Sequence, residues 1–272
     1  MTPGSALFAT AGFAFGAMFV LWLVSVIRRN ASIVDAWWGP GFAAIAALAF
    51  ALAPNPGARA LLVLAMATLW ALRLGSYLLW RNWGHGEDPR YARMRRHHGA
   101  RFPLISLFTV FALQGALQWA ISLPLQVTSL WPGAAPLGPL DAVGVVVFGV
   151  GLFFETVGDL QLARFKADPA QRGRVMDRGL WRYTRHPNYF GDFLAWWGLW
   201  IVAASTPYGP LTIFAPALMS FLLLRVSGVP MLERGLAKSR PGYREYVERT
   251  PSFFPWFPKR APDASRSLED SR

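Results

Sequence analysis

Seven predominantly apolar stretches, each about as long as a bilayer is thick, alternate with short basic ones, and this alternation restricts what the chain can fold into. They are 6–27, 36–53, 60–80, 104–126, 141–163, 188–206 and 209–227. About 20 apolar residues of helix cross the hydrocarbon core. Lipid offers no partner to an unpaired backbone group, so each stretch must satisfy its own hydrogen bonds as a helix. The expected fold is all-α: a polytopic membrane protein of about seven transmembrane helices, one domain over residues 1–258, with a disordered polar tail at 259–272. Composition agrees, at 54% hydrophobic and 15% charged, against roughly 25% charged in a soluble domain.

The basic residues set an orientation. Arg28 and Arg29 follow the first stretch, and Arg81, Arg90, Arg93, Arg95, Arg96 and Arg101 the third. Arg164, Lys166, Arg172, Arg174, Arg178, Arg182 and Arg185 follow the fifth, and the tail carries Arg234, Lys238, Arg240, Arg244 and Arg249. The opposite loops, 127–140 and 206–210, carry no Lys or Arg, and only Arg59 falls on their side. Seven spans with the N-terminus outside and the C-terminus in the cytoplasm put every cluster inside. The net charge of +12 is then a topology signal and not a nucleic-acid footprint. With no cysteine, thiolate chemistry and disulfides are excluded. His85, His97, His98 and His186 show no metal-ligand spacing, so no metal is expected. The start MTPGSALF has no basic n-region, so the first stretch reads as a retained helix.

Local signals refine the picture. Gly39-Pro40-Gly41 marks a place where the second span would break or tilt. Thr206-Pro207-Tyr208-Gly209-Pro210 is a tight turn between the last two spans. Residues 230–250 read as one helix or a short helical pair, and the aromatic, proline-rich 251–258 as a segment docked at the membrane interface.

Ionisable residues inside apolar spans are costly and mark candidate sites. Asp35 stands at the start of the second span beside Trp37 and Trp38. It reads either as a carboxylate favoured by the helix N-terminus or as one facing a ligand between the two rings. Arg73, Tyr77 and Arg81, at i, i+4 and i+8, share one face of the third span, and Asn82 extends its polar end. Glu155 and Asp159 share a face of the fifth, as a structural ion pair with arginine or as ligand contacts. The run Gly179 to Asp192 places Arg185 and His186 just before Pro187, and Asn188 and Asp192 one turn apart in the sixth helix. A helix start beside arginines suits an anion.

These residues resemble the steroid 5-alpha-reductase family of membrane enzymes. The resemblance runs from about residue 30 to 258. It rests on Ser32-Ile33-Val34-Asp35-Ala36-Trp37-Trp38-Gly39, on Gly179 to Asp192 with Trp196 and Gly198, on Arg240-Pro241-Gly242-Tyr243-Arg244-Glu245-Tyr246, and on Phe253-Phe254-Pro255-Trp256. It implies an NADPH-dependent reductase of the bacterial inner membrane, acting on the C=C bond of an enone in a hydrophobic, steroid-like substrate, with membrane lipid as a further partner and neither nucleic acid nor metal. By the same resemblance Asp35 holds or polarises the ketone. The family often pairs that carboxylate with a tyrosine one turn before the third-helix arginine, where this chain has Trp70. Trp37, Trp38 and Trp70 are the implied substrate contacts. Arg73, Tyr77, Arg81, Asn82, Glu155, Asp159, Lys166, Arg174, Arg185, His186, Asn188, Asp192, Glu233 and Tyr246 are the implied cofactor contacts. Two other classes stay open: a membrane methyltransferase using S-adenosylmethionine, which would share the Arg-His-Pro-x-Tyr segment, and a transporter or non-catalytic membrane protein.

Overall fold

The computed structural model describes residues 1–133, 135–226, 233 and 240–259, and every regular element among them is a helix. The helices are α1 (Pro3–Arg28), α2 (Ile33–Leu52), α3 (Ala58–Asn82), α4 (Pro89–His98), α5 (Phe102–Ser106), α6 (Leu113–Ile121), α7 (Leu123–Leu130), α8 (Pro139–Ala167), α9 (Pro187–Ala203), α10 (Phe214–Phe221) and α11 (Tyr243–Arg249). A π-helical stretch, Leu107–Ala112, joins α5 to α6, and another, Leu222–Val226, continues α10.

Among the described residues, six helical stretches are long and apolar enough to cross a bilayer: Pro3–Arg28, Ile33–Leu52, Ala58–Asn82, Pro89–Ile121, Pro139–Ala167 and Gly209–Val226. The chain is therefore a polytopic, all-helical membrane protein. The expected sixth span is α9, of 17 residues. At 1.5 Å per residue it is about 26 Å long, a little short of the roughly 30 Å core. The expected fourth span, 104–126, is divided at Ser122, with Pro124 in the first turn of α7.

The chain forms two compact units: residues 1–148 with 196–218, and residues 149–195 with 219–272. In the first unit α1 shows how such a helix is built. Its buried stripe is Ala6, Thr10, Ala14 and Met18, one residue per turn, while Phe8 and Ile27 on other faces are each 82% exposed. Small residues inward and large apolar ones outward suit a helix whose solvent is lipid. The hydroxyl of Thr2 accepts the amide of Ser5 at 3.2 Å and starts the helix, with Pro3 at its first position.

The break expected at Gly39-Pro40-Gly41 does not form, and α2 runs continuously from Ile33 to Leu52. The reason lies in α3. A Cβ on Gly75 would lie 3.0 Å from the Pro40 ring, and one on Gly39 3.1 Å from the Ala71 carbonyl oxygen. The helices thus close onto each other through glycines, and the proline ring is packed instead of splayed. The stretch after α3, read from sequence as a basic loop, holds α4. Asp88 caps it, accepting the Arg90 amide at 2.8 Å, and Pro89 opens it.

Two buried polar groups in this unit are fully accounted for. Arg59 donates to Asp141 at 2.8 and 2.9 Å and to the Pro136 carbonyl at 2.7 Å. Thr10 donates to Gln126 at 2.6 Å, and Gln126 in turn donates to Ser122 at 2.8 Å.

In the second unit the later part of α8 packs on the start of α9 through Gly151 and Gly191. A Cβ at Gly191 would lie 2.4 Å from the Glu155 amide nitrogen. The Trp181 indole donates to the Gly158 carbonyl at 3.0 Å, and the Tyr246 hydroxyl to the Trp181 carbonyl at 2.5 Å. The aromatic segment lies along 183–185. Thr184 donates to the Phe253 carbonyl at 2.7 Å, Arg185 N to Pro251 O at 3.0 Å, and Trp256 N to Tyr183 O at 2.9 Å. Phe253 is buried there against Phe190 and Phe193. Of the helical reading at 230–250, α11 covers the last part, while 227–232 and 234–239 lie outside the described residues, as does the tail 260–272.

Candidate functional site

Asp35 is held from two sides. The Tyr91 hydroxyl donates to its Oδ1 at 2.7 Å, and the Arg90 guanidinium to its Oδ2 at 2.6 Å. Both partners come from the start of α4, which is itself fixed to the start of α2. Asp88 N donates to the Ser32 hydroxyl at 2.6 Å, and Ala31 N to Glu87 at 2.8 Å. Arg95 closes the clamp on Glu87 with bonds of 2.9 and 2.8 Å. Partial burial acts to raise the Glu87 carboxyl, but the hydrogen bonds from Arg95 and Ala31 and the charge of Arg95 outweigh it and hold it below the usual range. Asp88 is likewise lowered: burial opposes, and the Arg90 hydrogen bonds prevail.

Arg90 and Tyr91, the two partners of Asp35, were not among the residues singled out from sequence. Their stretch reads from sequence as a positive-inside loop. The available signal was Asp88-Pro89, a helix start, followed by one aromatic residue among arginines. Tyr91 is 6% exposed, its ring packed with Met18, Ala31, Val34, Phe102, Val110 and Phe111, and Trp37 against them. It supplies beside Asp35 the phenol that Trp70 cannot.

The face of α2 that begins at Asp35 continues, at i+3 and i+7, into Trp38 and Phe42. Phe42 meets Trp38, Trp70 and Trp196 edge-on at centroid distances of 5.1, 5.8 and 4.7 Å. Trp70 is fully buried in this cluster, whereas Trp37 and Trp38 are half-buried. The arrangement is a carboxylate–phenol pair at the head of an aromatic column. Phe42, Trp70 and Trp196 are closed core, so the ring surface left for a flat apolar molecule beside Asp35 is that of the half-buried Trp37 and Trp38.

The stripe expected on α3 is formed. Arg73 and Arg81 stand over the Tyr77 ring at 5.5 and 5.9 Å, and Arg81 donates to Asn82 at 3.2 Å. Arg81 also contributes to the electrostatics of Asp35 and Asp88. Asp35, Trp37, Trp38, Trp70, Arg73, Tyr77, Arg81 and Asn82 thus all belong to the first unit.

The remaining candidates belong to the second unit. Asn188 donates to Asp159 at 3.0 Å, so the start of α9 is tied to α8, and Glu155 is buried one turn before Asp159. Asp192 is half-buried one turn after Asn188, and Lys166 and Arg174 are exposed. Arg185 and His186, expected as an anion-binding mouth, both turn to Glu233, at 3.0 Å each. His186 is 1% exposed and its ring stacks on Tyr189. The hydrogen bond with His186 is the main cause that lowers the Glu233 carboxyl, with Arg185 adding to it against burial. Tyr246 serves the fold through Trp181, and burial raises its phenol. No group of three or more metal-ligating side chains occurs among the described residues.

Comparison with known proteins gives a family and no activity. No solved structure matches the chain. An uncharacterized protein of Schizosaccharomyces pombe is 26% identical over 261 residues, covering 87% of this chain and 76% of that protein. A probable O-methyltransferase of Ustilaginoidea virens is 32% identical over only 77 residues, covering 28% of this chain and 27% of that protein. Residues 21–250 match the family described as "Protein of unknown function (DUF1295)", and the chain belongs to that family.

Proposed function

We propose that the protein is an NADPH-dependent membrane reductase of the C=C bond of an enone in a hydrophobic substrate, with a 3-keto-4-ene steroid as the substrate class. The observation that carries this reading is the Asp35–Tyr91 pair, a phenol and a carboxylate 2.7 Å apart at the head of an aromatic face. When bound, NADPH would supply a hydride to the β carbon of the enone, and the α carbon would take its proton from solvent. The chain must stabilise the negative charge that collects on the ketone oxygen. The Tyr91 hydrogen, held on Asp35 in this structure, turns to that oxygen, while Arg90 keeps Asp35 occupied. Trp37 and Trp38 hold the flat substrate and exclude water.

The donor set suits the cofactor. Arg73 and Arg81 carry the charge that phosphate groups require. Taken by itself, the second unit offers in the Asp159–Asn188 pair an acceptor and a donor of the kind that ribose hydroxyls and a carboxamide use, and exposed positive charge at Lys166 and Arg174. The distribution of arginines supports seven spans with the N-terminus outside, α9 being the short one.

The experiment is thermal stabilisation of the detergent-purified chain by NADPH and by S-adenosylmethionine, followed by incubation with NADPH and progesterone and a product mass. Stabilisation by NADPH and a gain of two hydrogens are expected. Stabilisation by S-adenosylmethionine alone would overturn the reductase reading in favour of a methyltransferase.

A further inference from the structure

A cleft of roughly 480 Å³ opens in the second unit where residues 177–182 meet residues 249–259. Arg178, Arg182, Arg249 and Lys259 line it, with Asp177 as the sole carboxylate. That carboxylate reaches only Arg249, at 3.7 Å, and Arg178, Arg182 and Lys259 make no ion pair among the described residues. Cations gathered around one carboxylate repel one another, and a bound anion offsets that repulsion.

The walls are fixed from behind. Gly179 takes φ +58°, a conformation that favours glycine, and packs against the Gln161 amide, whose oxygen accepts from Leu180 N at 3.0 Å. This seats the turn Gly179–Arg182 on α8. Lys259 N donates to the Arg249 carbonyl at 2.9 Å, which holds the opposite wall together.

Beside the cleft stand four large rings that the protein leaves uncovered: Tyr183, Phe254, Trp256 and Phe257 are 37%, 61%, 72% and 72% exposed. Tyr183 and Phe257 meet edge-on at 6.1 Å, each next to or near a cleft cation in sequence. A water-soluble phosphate compound would call for the cations and not for the rings. Aromatic side chains settle at the headgroup level of a bilayer, and basic residues there attract anionic lipids. We infer that this cleft binds the phosphate of an anionic phospholipid, with the Tyr183–Phe257 rim inserted among the headgroups around it. The site is separate from the residues assigned to the reductase and does not depend on that assignment.

Native mass spectrometry of the full chain, mixed with equal amounts of phosphatidylglycerol and phosphatidylcholine, tests it. Preferential retention of phosphatidylglycerol is expected. At about fivefold per basic residue, Arg182→Gln/Lys259→Gln lowers that retention roughly 25-fold, and Arg178→Gln, an independent variant, roughly fivefold. Trp256→Ala/Phe257→Ala weakens it as well, while Arg244→Gln, exposed outside the cleft, leaves it unchanged. Glycerol phosphate does not compete. Equal retention of the two lipids, unchanged retention in both charge variants, or displacement by glycerol phosphate, which would mark a soluble-phosphate site, would overturn the inference.

Discussion

Replacing Tyr91 by phenylalanine removes one hydroxyl and leaves its packed ring in place. The ring lies in a closed apolar cluster and is 6% exposed, so the change opens no large cavity. What is lost is the 2.7 Å hydrogen bond to Asp35, with a long one of 3.5 Å accepted from Gln114. Hydrogen bonds to charged groups contribute about 1.5–3 kcal/mol. Asp35 keeps Arg90 at 2.6 Å and its side chain is 17% exposed, so the stability loss should lie at the low end, about 1.5 kcal/mol. The catalytic loss should be larger, because removal of one donor to a developing oxyanion lowers kcat by about 10²–10³. The bond is strengthened in the transition state, so KM should change little. Steady-state reduction of the enone and thermal unfolding in the same detergent separate the two effects. Asp35→Asn and the double variant complete a cycle, with an expected coupling of about 0.5–3 kcal/mol. A kcat reduced less than about tenfold, or strictly additive losses, would refute a joint role for the phenol and the carboxylate.

Gly191→Ala places a Cβ 2.4 Å from the Glu155 amide nitrogen, so the α8–α9 seam must open at a cost of about 1–3 kcal/mol. Gly16→Ala, inside α1 with nothing within 4 Å, should melt no lower than the wild type in the same scan, since alanine favours a helix interior. Arg59→Met leaves Asp141 buried and unpaired and should cost about 3–5 kcal/mol, most of which Arg59→Met/Asp141→Leu should recover, as read by thermal unfolding. Glu233 is held below the ordinary carboxylate value chiefly by His186. Its stabilisation is therefore complete above the unfolded value and lost as pH falls through the lower folded one. The acid limb of a stability–pH profile should flatten in Glu233→Gln, and an unchanged limb would remove that contribution.

The helices were legible because lipid imposes a simple rule: long apolar runs must be helical. Partners across the chain were not, because hydropathy carries no register. The stripe of Arg73, Tyr77 and Arg81 followed from helical spacing and formed as expected. The break at Pro40 did not form, because its ring is accommodated by Gly75, a residue 35 positions away that no local rule connects to it. Tyr91 was hidden for a different reason. A run of arginines between spans reads as topology, and that reading masked a short capped helix that brings a phenol 56 residues along the chain to Asp35. The motif at Arg185 and His186 was visible, but its contact with Glu233, 47 residues beyond His186, carries no local signal.

The most direct test of the account follows one atom. The purified protein is incubated with progesterone and NADPH carrying deuterium at the transferable position, and the product is examined by mass spectrometry. The account predicts a reduced steroid with a single deuterium on the β carbon of the former enone, formed by the wild type and nearly lost in Tyr91→Phe. A steroid recovered without deuterium, from protein that NADPH stabilises against heat, would contradict the assigned substrate. The same result from protein that NADPH does not stabilise would contradict the reductase itself.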